Sequence, residues 1–243
     1  MRPKTIPFAI FLMTLVVSFA AAQNSPTDPR ESIKRGNAKY SKAEYVAAIE
    51  EYQRVPPQAG EIYSQALYNI GVCYYELWST EDAVVMYKRA AATRAGRYPK
   101  ALYALGVALE DLKRQDEAKE AYRQAVTAST NRDKGAAHFR LGLLLAGEND
   151  YERAATHFKE AITGETTPGS HNNLGVMLAL KGRLHEAEKE FEVALRQAGG
   201  TFADATYNLK LCRSLLKAST KDPLALLKVV ATTNASGRNS RIE

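Results

Sequence analysis

The chain has 243 residues, 45% of them hydrophobic and 25% charged, with a formal net charge of +6. That charge drops by two if Arg2 and Lys4 leave with a leader, and the remainder is scattered without a lysine-arginine run, too little to argue for nucleic acid, so no nucleic-acid partner is expected. Length alone suggests one or two globular domains, but a repeating chain grows by stacking, and the periodicity below makes one elongated domain the better count.

Residues 1–22 have the three parts of a secretory signal peptide: the basic Arg2 and Lys4, an apolar run from Ile6 to Val17, and small residues at Ala20 and Ala22 that place a cut before Gln23. The competing reading is an uncleaved anchor, the sole route to a membrane here, although the run is short for a span and Pro7 interrupts it. Either reading puts the remainder outside the cytoplasm, in a bacterial periplasm or secreted. Residues 23–28 are a polar linker. Asp28 is then positioned to cap a helix that has Pro29 in its first turn.

From Gly36 to Val55 the sequence reads as a helix, a short turn and a second helix whose Ala48, Tyr52 and Val55 share one face. Glycine recurs at Gly71, Gly106, Gly142 and Gly175, in steps of 35, 35, 36 and 33 residues. Sixteen residues after each glycine stands an aromatic, Tyr52, Tyr87, Tyr122, Phe158 or Phe191, and twelve after it an alanine. A glycine lets another helix approach closely. A face that one helix pair cannot bury by itself needs a neighbouring pair, so the period predicts a solenoid. Ser79 with Asp82, Asp116 and Asp150 stand where second helices begin, and Pro99 and Pro168 open first helices. A last first helix over Phe202 to Lys217 has Lys210 where the glycine would be.

These spacings resemble the tetratricopeptide repeat family over roughly residues 29 to 217. The resemblance implies an all-α, right-handed α-solenoid of about five full repeats plus a capping helix. Beyond it, residues 218–231 form a capping segment in which Leu224, Leu227 and Val230 lie at helical spacing, followed by a polar tail over 232–243 that is expected to be disordered. That short segment either caps the stack or occupies the groove of its own or another molecule.

No catalytic constellation is present: GxSxG and the phosphate-loop pattern are absent, and neighbouring carboxylates such as Glu110 and Asp111 point apart on a helix. An enzyme is therefore not expected, nor is a cofactor. The four histidines show no paired ligand spacing, so no metal is expected either. Cys73 and Cys212 lie four repeats apart and read as buried, reduced packing residues. Trp78, at the turn of the second repeat, is either a partner hot spot or a packing residue.

The resemblance implies a binding platform, and a protein or peptide partner held on the concave face of first helices. Three residues before the glycine position stand Tyr68, Tyr103, Phe139 and Tyr207, predicted to line that face as an aromatic ladder, with packing between first helices as the alternative. One residue further along are Asn69, Arg140, Asn173 and Asn208, which offer donors to a peptide backbone. The family's carboxylate clamp is matched at Asn37, Asn69 and Lys100 but broken at Ile33 and Ala104. The function expected is an interaction scaffold of the cell envelope. A non-catalytic structural spacer and a regulatory module of an envelope enzyme stay open as alternatives.

Overall fold

The computed structural model describes residues 28–130, 134–164 and 167–218. The leader, most of the linker, the segment with Leu224 and the tail lie outside the described residues. Among the described residues there are eleven α-helices and no strand: α1 (Pro29–Tyr40), α2 (Tyr45–Gln53), α3 (Glu61–Glu76), α4 (Thr80–Ala92), α5 (Pro99–Asp111), α6 (Gln115–Ala128), α7 (Gly135–Gly147), α8 (Tyr151–Gly164), α9 (Pro168–Leu180), α10 (Leu184–Gln197) and α11 (Ala203–Ala218). Each helix packs on its neighbours in the chain, and first helices also meet first helices, α1 on α3 and α9 on α11. This is an α-solenoid of five helix pairs closed by a sixth first helix. No described helix is long and apolar enough to cross a membrane.

The glycine and the aromatic sixteen residues later are two halves of one contact. A Cβ added at Gly36, Gly71, Gly106, Gly142 or Gly175 would stand 2.3 to 2.7 Å from the ring of Tyr52, Tyr87, Tyr122, Phe158 or Phe191 respectively. All five rings are fully buried. The missing side chain thus lets the second helix press a ring against the backbone of the first, and the alanines twelve residues after each glycine are buried.

Between the two helices of each repeat the chain turns through a left-handed residue seven after the glycine: Ala43, Trp78, Lys113, Asn149 and Gly182. Two of the expected caps make no cap bond. The residue after the left-handed one is the cap position, so Ser79 occupies it without a side-chain bond, and Asp116 falls inside the first turn of α6, where it pairs with Lys119 at 2.8 Å. Asp28, Asp150 and Thr167 do cap, accepting from the amides of Arg30, Arg153 and Ser170 at 3.0, 3.0 and 3.2 Å. Pro99 and Pro168 open α5 and α9 as expected.

Cys73 and Cys212 are both buried and unpaired in a disulfide. Burial pushes the Cys73 thiol up to about 12 and the Cys212 thiol up to about 11, as befits packing residues rather than nucleophiles. Trp78 is exposed at the edge of the stack.

Candidate functional site

The residues three before each glycine form the layer above the buried rings. Tyr68 lies 5.7 Å from Tyr87, Tyr103 5.6 Å from Tyr122, and Phe139 5.6 Å from Phe158 in an edge-on arrangement. The geometry follows from the glycine: the ring it admits sits one turn away from the side chain three residues earlier, and the two rings meet.

This layer is not the open ladder expected from the spacing. Tyr68 and Phe139 are each only 2% exposed, and Tyr68 is further enclosed by Tyr98 and by the Lys100 ammonium 5.2 Å over its ring. Tyr103 is half-buried, and Tyr207 on α11 is 39% exposed. Of the four aromatics, then, Tyr103 and Tyr207 present surface, whereas Tyr68 and Phe139 belong to the core.

The polar candidates are drawn into contacts between successive first helices. Asn37 accepts from the Tyr52 hydroxyl at 2.8 Å and from Asn69 at 3.4 Å, so two members of the incomplete clamp engage each other. At the other end Asn208 donates to Asn172 at 2.9 Å, and Asn172 donates to Asn173 at 3.2 Å. Asn69, Asn173 and Asn208 are all buried. Arg140, in the middle, lies 3.9 Å from Glu110 of α5, whose other oxygen accepts from Tyr122 at 2.5 Å. Burial opposes the charge of Arg140, but Tyr103, Tyr122 and Glu110 around it hold the guanidinium above its ordinary range, so it is a fixed cation.

Sequence reasoning missed a second set. Tyr40 of α1 donates to Glu76 of α3 at 3.4 Å, and Tyr75 of α3 donates to Asp111 of α5. With the asparagine contacts and the Glu110–Arg140 pair, these make a polar seam between first helices of successive repeats. A signal for it existed: tyrosine stands four residues after the first two glycines, and an acid follows each of them 36 residues later. The face therefore carries Arg140, Lys100 and the half-exposed Tyr103 near its middle and Tyr207 at its end, with Glu76, Glu110 and Asp111 along one margin.

Among the described residues no group of three ligating side chains converges on one point.

Two family models for the tetratricopeptide repeat match this chain, one over residues 116–171 and 139–200 and the other over 99–132. No curated protein matches it. Solved structures of the same fold include the MamA protein, 22% identical, covering 72% of this chain and 96% of its own, with a TM-score of 0.58. PilF of Pseudomonas aeruginosa is 18% identical over 82% of this chain and 89% of its own, with a TM-score of 0.62. YrrB, described as a repeat protein of this type with an unusual peptide-binding site, is 25% identical over 81% and 95%, with a TM-score of 0.54.

Proposed function

Because this chain belongs to the tetratricopeptide repeat family, whose members bind protein or peptide partners, we propose that it is an interaction scaffold that holds a peptide segment or assembly partner on its first-helix face, outside the cytoplasm. The observation that carries the reading is Arg140, a cation held 3.9 Å from Glu110 in the middle of that face, with the half-exposed ring of Tyr103 among the groups around it. An aromatic edge beside a charged donor gives a bound segment both apolar contact and a partner for its carbonyl or carboxylate groups. YrrB, with its peptide-binding site, supports the same use of the fold. The leader pattern at residues 1–22 supports an envelope or secreted location.

Immobilised protein incubated with envelope extract, followed by crosslinking, tests the face directly. Tyr103→Ala with Arg140→Ala is expected to lower recovery of the crosslinked partner by about tenfold or more, since centrally placed aromatic and arginine contacts dominate binding, with unchanged circular dichroism. Equal recovery would reject this face. Recovery of no partner by the wild type would instead favour the structural spacer. Export has its own readout: mass spectrometry of protein from the extracellular or periplasmic fraction is expected to show Gln23 as the first residue, and an intact Met1 in the cytoplasmic fraction would reject it.

A further inference from the structure

His138 and His171 occupy equivalent places four residues before Gly142 and Gly175, and the fold gives each a partner fifteen residues after its glycine. In the fourth repeat that partner is His157. The two Nδ1 atoms are 2.9 Å apart, with ring centroids 5.1 Å apart and planes inclined at 37°. Centroids so far apart for so short a nitrogen separation mean that the rings meet head on. One Nδ1 carries hydrogen and the other accepts it. In the fifth repeat the partner is Glu190, with Oε2 2.6 Å from His171 Nδ1. The same two positions hold Leu67 and Met86 in the second repeat and Leu102 and Ala121 in the third, so these polar contacts replace an apolar one.

We propose that the His138–His157 contact is an acid-sensitive latch that closes the two helices of the fourth repeat and opens when a second proton enters the pair. The latch itself stands apart from the binding role proposed above, whereas its consequence for partner capture rests on that role. With both imidazoles protonated, two N–H groups face each other at hydrogen-bond distance and two positive charges share a half-buried site, so attraction becomes repulsion.

The surroundings resist that proton. Burial is the main cause that pushes His157 down to about 4 and His138 below its ordinary value. Arg123 from α6 and Arg153 of α8 oppose the charge on His157, and Lys134 at the start of α7 opposes it on His138. Glu160 of α8 favours the charge on both. Helix α9, packed on α8, brings no aspartate, glutamate, lysine or arginine, and its His171 ring is held by Glu190 of α10.

A depressed histidine binds fewer protons folded than unfolded. Its stabilisation is therefore complete above the ordinary value of 6.5 and is lost as pH falls from there towards about 4. His138 and His157 directly precede the paired rings of Phe139 and Phe158, and His138 is two residues from Arg140. Opening the latch would thus disturb the middle of the first-helix face while the second and third repeats stay closed.

Hydrogen exchange of the full chain at pH 7.5 and pH 5.0, corrected for intrinsic rates, tests this. Peptides from α7 and α8 are expected to lose protection on the order of tenfold more than peptides from α3 and α4. His157→Gln, which keeps a polar group without the second charge, is expected to remove the difference. Parallel protection of the two regions in the wild type, or the same loss in His157→Gln, would overturn the latch. Should that variant not fold, the imidazole signals of the wild type decide: a midpoint well below 6.5 for one of the pair supports the latch, and two midpoints near 6.5 overturn it. Lost protection with unchanged partner capture at pH 5.0 would keep the latch and reject this part of the face as the binding surface.

Discussion

Gly106→Leu is expected to destabilise the fold by about 3 kcal/mol or more, read as a fall in the urea midpoint, because overpacking a core by even a few methylenes costs about 1 to 3 kcal/mol and here the ring has nowhere to go. A Cβ at Gly106 would lie 2.4 Å from Tyr122 Cε1 and 2.7 Å from two further ring atoms. Tyr122 is fully buried, and its hydroxyl is held by Glu110, so retreat of the ring would break a buried hydrogen bond as well. Replacing a mid-helix glycine gains about 1 kcal/mol in helix propensity, which does not offset the clash. Gly147→Ala is the matched control: it ends α7, and its added Cβ would meet nothing within 4 Å. That variant is expected to melt within about 0.5 kcal/mol of the parent or slightly above it. An unchanged midpoint for Gly106→Leu would show that the glycine does not lie beneath the ring.

Phe139→Ala is expected to cost about 3 to 5 kcal/mol of stability, the range for deleting a buried phenylalanine, and Tyr103→Ala distinctly less. Phe139 is 2% exposed and stands edge-on to the fully buried Phe158, whereas Tyr103 is half-buried. The two occupy the same position in successive repeats, so spacing assigns them one role. Packing separates them. A double alanine variant at Tyr103 and Phe139 would lose partner capture through lost folding, which is why Tyr103 with Arg140 is the informative pair. If Phe139→Ala kept the parental midpoint, Phe139 would be a surface residue and the ladder expected from the spacing would be restored.

The repeating unit and its number were legible in the residues. Glycine, alanine and aromatic recur at one period because each helix pair must bury the same face against the same neighbours, and such a requirement prints itself on a linear sequence. Pro99, Pro168, Asp28 and Asp150 marked helix starts for an equally local reason: caps and proline act within a few residues. Asp116 misled because one left-handed turn residue, Lys113, moved the start of α6 back to Arg114, and that turn leaves no fixed residue type, being alanine, tryptophan, lysine, asparagine or glycine in the five repeats.

What the sequence determined by itself, therefore, is the solenoid, its register and the identity of the residues beneath each glycine. Only the tertiary structure decided which side chains meet across helices. It joined Glu110 to Arg140, Tyr40 to Glu76 and His138 to His157, and it enclosed Tyr68 and Phe139 while leaving Tyr207 at the surface. These contacts span 19 to 36 residues along the chain. Whether two such side chains touch depends on how far each helix is rotated about its axis and how closely the pair packs, and a one-dimensional spacing carries neither quantity.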